Sequence, residues 1–170
     1  MIKYLFFISL IFSLIACHGS KSETIIFTPP DDVAEVIDSN MIVAPEEMVD
    51  DESFAVNSSS TKWATAGITD PNQLKIFIKF LRFWVDKGNI DSIAAHIEYP
   101  LSHPNIQTPQ DFINNYHRYF DSKVINALRN QKLPQIYRNN KGARIGNGEL
   151  WIKNISTGNI EEFKITAINN

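Results

Sequence analysis

Between residues 96 and 117 the chain carries His96, Glu98, Tyr99, His103, Asp111, Tyr116 and His117, side chains of the types that move protons or hold metals. A carboxylate or imidazole can serve as a base, and a Tyr, Trp or protonated acid can steady an oxyanion. Isomerase or hydratase chemistry in an apolar pocket needs such a pair. His96, Glu98 and His103 could also supply a trio of metal ligands. Pro100 and Pro104 interrupt that segment, no His pair stands at i, i+4, and the single cysteine, Cys17, lies far away, so neither a metal nor another cofactor is expected. Asp111 also reads as a helix-start residue, His117 as an exposed helical position and Tyr116 as core. No residue is therefore assigned as catalytic. The candidate pocket set is His96, Tyr99, Asp111 and Tyr116, with Trp151 from further along the chain. Gly-rich phosphate loops, a Gly-x-Ser-x-Gly elbow and zinc-ribbon spacings are absent from the sequence, and Ser59 with Lys62 mimics a Ser-x-x-Lys nucleophile only inside an expected linker.

The elements that must position these groups begin at Asp70-Pro71-Asn72-Gln73, where an N-cap acid precedes Pro at the first helical position. Leu74, Phe77, Ile78, Leu81, Trp84 and Val85 then recur at helical spacing until Gly88. Asn89 opens a short helix through Ile97, which Pro100 ends. Leu101–Thr108 is a connector or a short edge strand. Thr108-Pro109-Gln110-Asp111 repeats the start signal for a helix carrying Phe112, Ile113, Tyr116, Tyr119 and Phe120. Asp121 or Ser122 caps a further helical segment with Val124, Ile125 and Leu128.

After Lys132 the period changes. Residues 135–138, 143–145, 149–154 and 160–168 are short β-rich runs separated by Gly- and Asn-containing turns. Ala143 and Ile145 fall on odd numbers, Leu150 and Ile152 on even ones. A one-residue bulge at Asn147-Gly148 keeps both sets on one face and is the expectation; a tight hairpin at that Asn-Gly is the alternative. Helices first and an antiparallel meander afterwards give an α+β domain.

Residues 1–16 have a positive start at Lys3 and an apolar run, Tyr4 to Ile15, too short for a stable membrane helix, as in a secretory signal peptide. Leu14-Ile15-Ala16-Cys17 resembles the lipobox of bacterial lipoproteins. The resemblance implies cleavage after Ala16 and diacylglyceryl transfer to the Cys17 sulfur, hence a membrane partner through that lipid. It places the mature chain in the cell envelope, on an outer membrane facing the periplasm if the cell has one, since residue 18 is His rather than Asp. From 18 to 61, ten carboxylates oppose Lys21 alone, with three prolines and Asn57-Ser58-Ser59-Ser60. That composition predicts a disordered acidic tether, leaving 62–170 as the folded domain.

Within that domain, Phe77-Ile78-Lys79-Phe80-Leu81, Gly88-Asn89-Ile90-Asp91, Tyr99-Pro100-Leu101, Asp111-Phe112 with Tyr116, Gly142, Gly148-Glu149-Leu150-Trp151-Ile152 and a closing 165–169 resemble the NTF2-like (cystatin-like) proteins. The resemblance implies helices packed across a strongly curved antiparallel sheet, a cone. It also implies a homodimer through the sheet, with Trp151 and Phe163 as its apolar contacts unless both belong to the core.

Residues 62–170 carry fourteen Lys and Arg against nine carboxylates, a net +5, opposed by −9 in 18–61. Lys123, Arg129, Lys132, Arg138, Lys141 and Arg144 gather around the helix-to-sheet transition and suit an anionic cell-wall polymer or an acidic envelope protein, unless they are plain solvated surface. Export excludes nucleic acid as the expected partner. The leading expectation is a membrane-anchored, non-catalytic binding module. The alternatives are an envelope immunity or inhibitor protein and a small isomerase- or hydratase-like enzyme.

Overall fold

The computed structural model describes residues 42–51, 63–101, 105–158 and 160–170. Short helix α1, Pro45–Met48, precedes a 3-10 turn at Trp63–Ala66, then α2, Pro71–Lys87. Three short helices follow, α3 (Ile90–Ala95), α4 (Pro109–Asn114) and α5 (Tyr116–Tyr119), then α6 (Ser122–Asn130) and a 3-10 turn at Leu133–Gln135. The chain closes with β1 (Tyr137–Asn139), β2 (Gly142–Ile145), β3 (Leu150–Thr157) and β4 (Ile160–Ile168). None of the described helices is long and apolar enough to cross a membrane.

The helix starts are local hydrogen-bond solutions. The Asp70 carboxylate accepts from the Asn72 and Gln73 amides, Thr108 and Asp111 form a reciprocal capping box, and Asp121 accepts from Val124 N. Gly88, at φ +66°, ends α2 in the left-handed conformation. The expected helix through Phe120 instead breaks at Asn115 into α4 and α5.

The sheet is an antiparallel meander in the order β1-β2-β3-β4. One face carries Ala143, Ile145, Leu150, Ile152, Ile165 and Ile168, all essentially inaccessible, and joins a core with Leu74, Phe77, Ile78, Leu81 and Trp84 of α2. Beside β4, Ile97 forms a parallel bridge with Ile165, closed by Glu98 N–H to Ile165 O and Ile165 N–H to His96 O. This contact protects part of an otherwise open edge.

Three further expectations change. The sheet is open, neither closed nor strongly curled, so the resemblance to a lipobox-anchored NTF2-like cone is overturned as a description of the fold. The physical reason lies in the strands: β1 and β2 have only three and four residues, and no bulge interrupts their pairing with each other or with β3. Second, the register Ala143↔Ile152 and Ile145↔Leu150 makes Gly146–Glu149 a hairpin turn, so the Asn147-Gly148 bulge gives way to its alternative. The irregularity stands instead at Trp151/Ile152, opposite β4. Third, residues 42–51, placed by sequence in the tether, pack on the body, with Val43 buried and Met48 against the core. Cys17 and the lipobox lie outside the described residues.

Candidate functional site

The expected pocket residues do not converge on one cavity. His96 ends α3 with its ring stacked on Trp84, centroids 4.6 Å apart, and beside Phe77 at 5.4 Å; its Nδ1 is 2.8 Å from Ser92 O. Burial holds its pKa below the ordinary histidine range, only partly offset by the Ser92 carbonyl. The Tyr99 hydroxyl donates to Ala94 O at 3.0 Å, and its pKa is pushed up to about 12 by burial and by the Asp111 charge. The Asp111 carboxylate accepts from Thr108 N–H at 3.0 Å, the helix-start role. Tyr116 is core, stacked on Phe120 and edge-on to Phe112, and burial raises its pKa. Glu98 is half-buried and His117 is exposed on α5. His103, Ser59 and Lys62 lie outside the described residues, and no group of three potential metal-binding side chains occurs among the described ones.

Trp151 lies elsewhere. It opposes Arg144 on β2 and Ala167 on β4, on the sheet face away from the core, whereas Phe163 packs against Phe77 with centroids 5.7 Å apart. The two aromatics named for a sheet dimer are thus on opposite faces.

What the fold does assemble is a polar groove between α6 and the β2–β3 turn. An open concavity of about 600 Å³ is lined by Lys123, Asn126, Ala127 and Asn130 of α6, by Gln131, Lys132 and Gln135, and by Gly146, Asn147 and Glu149 of the turn. A second, of about 480 Å³, shares Lys123, Asn147 and Glu149 and continues along Arg144, Gly148, Trp151 and Asn169. Lys123, Asn126, Ala127 and Asn130 are spaced i, i+3, i+4, i+7 and form one face of α6, while Val124 and Leu128 are buried in the core.

Both walls are fixed by hydrogen bonds. Arg82 Nε donates to Leu128 O at 2.9 Å and its Nη2 to Gln131 O, holding the end of α6 against α2. In the turn, Glu149 accepts from Asn147 N–H at 2.6 Å, Gln131 Oε1 accepts from Gly146 N–H at 2.9 Å, and Asn169 Nδ2 donates to Gly148 O at 2.6 Å. Gly146 sits at φ +62°, and a Cβ there would meet Glu149 Oε2 at 2.3 Å and Ala127 Cβ at 2.7 Å. The close approach of turn to helix therefore depends on that glycine. Arg144 lays its guanidinium 4.2 Å over the Tyr137 ring, which fixes its plane.

Three cations, Lys123, Lys132 and Arg144, face one carboxylate, Glu149, which the turn amide already engages. Of the basic run read from sequence, these three reach the groove. Arg129 instead pairs with Asp86 at 2.6 Å, and Arg138 with Asp50 at 3.1 Å. Sequence reasoning missed the amides Asn126, Asn130, Gln131, Asn147 and Asn169. The available signal was the Lys-x-x-Asn-Ala-x-x-Asn stripe on an otherwise amphipathic helix.

Compared with protein-family models, curated proteins and solved structures, the chain matches none.

Proposed function

We propose that the protein is a non-catalytic binding module of the cell envelope, attached to its membrane by lipid on Cys17, and that the groove between α6 and the β2–β3 turn binds an anionic, hydroxyl-rich polymer of the cell wall. The observation that carries this reading is the groove's lining: cationic and amide side chains, with Trp151 at one end, on an open and rigidly braced surface. Amides donate and accept at once, which suits hydroxyl groups whose orientation varies along a polymer. Lys123, Lys132 and Arg144 supply charge for carboxylate or phosphate groups, and the Arg144 fork adds directionality. The indole of Trp151 offers apolar surface beside a polar rim. The open shape suits a chain passing through it better than an enclosed small molecule. His96, Tyr99, Asp111 and Tyr116 all serve packing or backbone hydrogen bonds, which supports a binder over an enzyme.

The test is retention of the purified protein on immobilised polygalacturonate, with neutral dextran as control. The expected result is retention on the anionic polymer alone, weakened by salt and by Lys123→Glu with Arg144→Glu. Equal behaviour on both matrices, or retention indifferent to both substitutions, would refute the reading.

A further inference from the structure

Residues 42–51 lie on the body as a bound peptide would. Asp50 reaches a ready-made carboxylate site, where its Oδ1 accepts from Lys75 Nζ at 2.8 Å, its Oδ2 from Trp63 Nε1 at 2.6 Å, and Arg138 Nη2 stands 3.1 Å from Oδ2. The receiving groups are built into the fold: the Lys75 side chain is 0% exposed, that of Arg138 is 8% exposed, and the Arg138 guanidinium is stacked 3.9 Å over the Trp63 ring. Three residues before Asp50, Glu47 pairs with Lys79 at 2.8 Å; one residue after it, Asp51 accepts from Gln135 Nε2 at 2.8 Å. The carboxylate spacing i, i+3, i+4 is thus matched by cationic or amide partners on three elements of the body.

The segment itself is held largely by these charges. Its backbone joins the body through Asp51 N–H to Pro134 O and through Lys75 Nζ to Met48 O, while Ile42 and Val49 remain 61% and 67% exposed. Val43 is buried and Met48 partly covered by the core, and the rest of the segment is held by ionic and hydrogen-bond contacts; so short a segment belongs to the part of a protein that opens below the cost of global unfolding. Opening it would leave Lys75, Trp63 and Arg138 as a vacated carboxylate receptor.

We infer that Lys75, Trp63 and Arg138 form a recognition site for acidic peptide, that Asp50 is its resident ligand, and that an acidic segment of a partner protein binds there by displacing residues 42–51. The occupant's chemistry is set by the resident: a helical turn, Pro45–Met48, running into extended chain at Val49, with carboxylates spaced as Glu47, Asp50 and Asp51. Gln135 contacts Asp51 and also lines the polymer groove, so exchange at this site would be felt there.

The experiment uses the full chain in detergent and a blocked synthetic peptide of residues 42–51. In a chain carrying Asp50→Asn the resident segment is weakened, and the peptide is expected to bind at least about tenfold tighter than to the wild-type chain, the scale of one lost charged hydrogen bond. The peptide bearing Asp50→Asn, or a chain bearing Lys75→Met as well, should lose that binding. Equal affinity for both chains, or no binding to an Asp50→Asn chain whose circular dichroism is native, would overturn the proposal. Dimers that exchange the segment between copies would also overturn it, by assigning the site to a second copy. Should Asp50→Asn fail to fold, hydrogen exchange on the wild-type chain decides. The Asp51 amide should exchange at least about a hundredfold faster than the Ile165 amide, and faster still in salt. Equal protection would make the segment integral to the core and refute exchange.

Discussion

Lys75, fully buried on α2, places its Nζ 2.8 Å from Oδ1 of Asp50, 25 residues earlier in the chain. A buried ammonium needs an anion, and the body's own helices do not supply this one. The acidic residue expected in a tether instead completes the fold. Removing Asp50 takes the carboxylate from the buried Lys75 ammonium, which keeps only the neutral Met48 carbonyl, whereas removing the ammonium leaves a carboxylate that is 27% exposed and still bonded to Trp63. Asp50→Ala is therefore expected to cost about 3 kcal/mol, and Lys75→Met about 1 kcal/mol, in urea unfolding. Equal costs would contradict the asymmetry.

The start of the folded unit follows from the same pairing. A chain beginning at residue 42 should unfold at a higher temperature than one beginning at 62, because it keeps Val43, Glu47, Asp50 and Asp51 on the body. The difference expected is about 2–4 kcal/mol, for one small apolar side chain and a partly exposed ionic network. Coincident melting curves would mean that docking of residues 42–51 adds nothing to the stability of the body.

Gly146 tests the groove's bracing. Alanine there must adopt φ +62° and push its Cβ into Glu149 and Ala127, so Gly146→Ala should destabilise by about 2 kcal/mol or more and weaken polymer binding together. Gly158 is a fair control, since it has a similar φ of +64° with nothing within 4 Å of an added Cβ. Gly158→Ala should cost about 1 kcal/mol and leave binding unchanged. Identical effects at both sites would mean that the turn-to-helix approach is not under constraint.

His96 gives the fold a definite pH dependence. Burial against Trp84 and Phe77 favours the neutral ring, so the unfolded chain takes up a proton that the folded chain resists; Lys164 opposes protonation too, and Glu162 favours it. The sign is fixed: this contribution is complete above the ordinary histidine pKa, about 6.5, and is lost as pH falls through the lowered folded value. Urea midpoints should fall from pH 8 to pH 5, and His96→Gln should flatten that slope. A slope unchanged by His96→Gln would contradict the assignment.

Much of the helical layer was legible because its signals are local. Asp70, Thr108 with Asp111, and Asp121 each satisfy amides two or three residues away, and the α2 stripe needs only its own periodicity. The β2–β3 turn was misjudged because odd-to-even parity fits two geometries: a bulge within one strand, or a hairpin whose register pairs Ile145 with Leu150. The cone failed because curvature depends on strand length and bulge placement, which generic motifs do not encode. The docked acidic segment was hidden by averaging charge over 18–61; its partners Lys75, Lys79, Gln135 and Arg138 are distant in sequence. Of the site, Trp151 and the basic residues were visible, but the amides of α6 became meaningful only when the turn was seen to pack beside them.

Whether the groove binds an anionic polymer is read residue by residue in amide-resolved NMR during titration with short oligogalacturonates. Perturbations are expected at Lys123, Asn126, Gly146, Asn147 and Gly148 and at the Trp151 indole N–H, suppressed by Arg144→Glu and by salt. Perturbations confined to α3 and the His96 region, or none with any anionic oligomer, would contradict it.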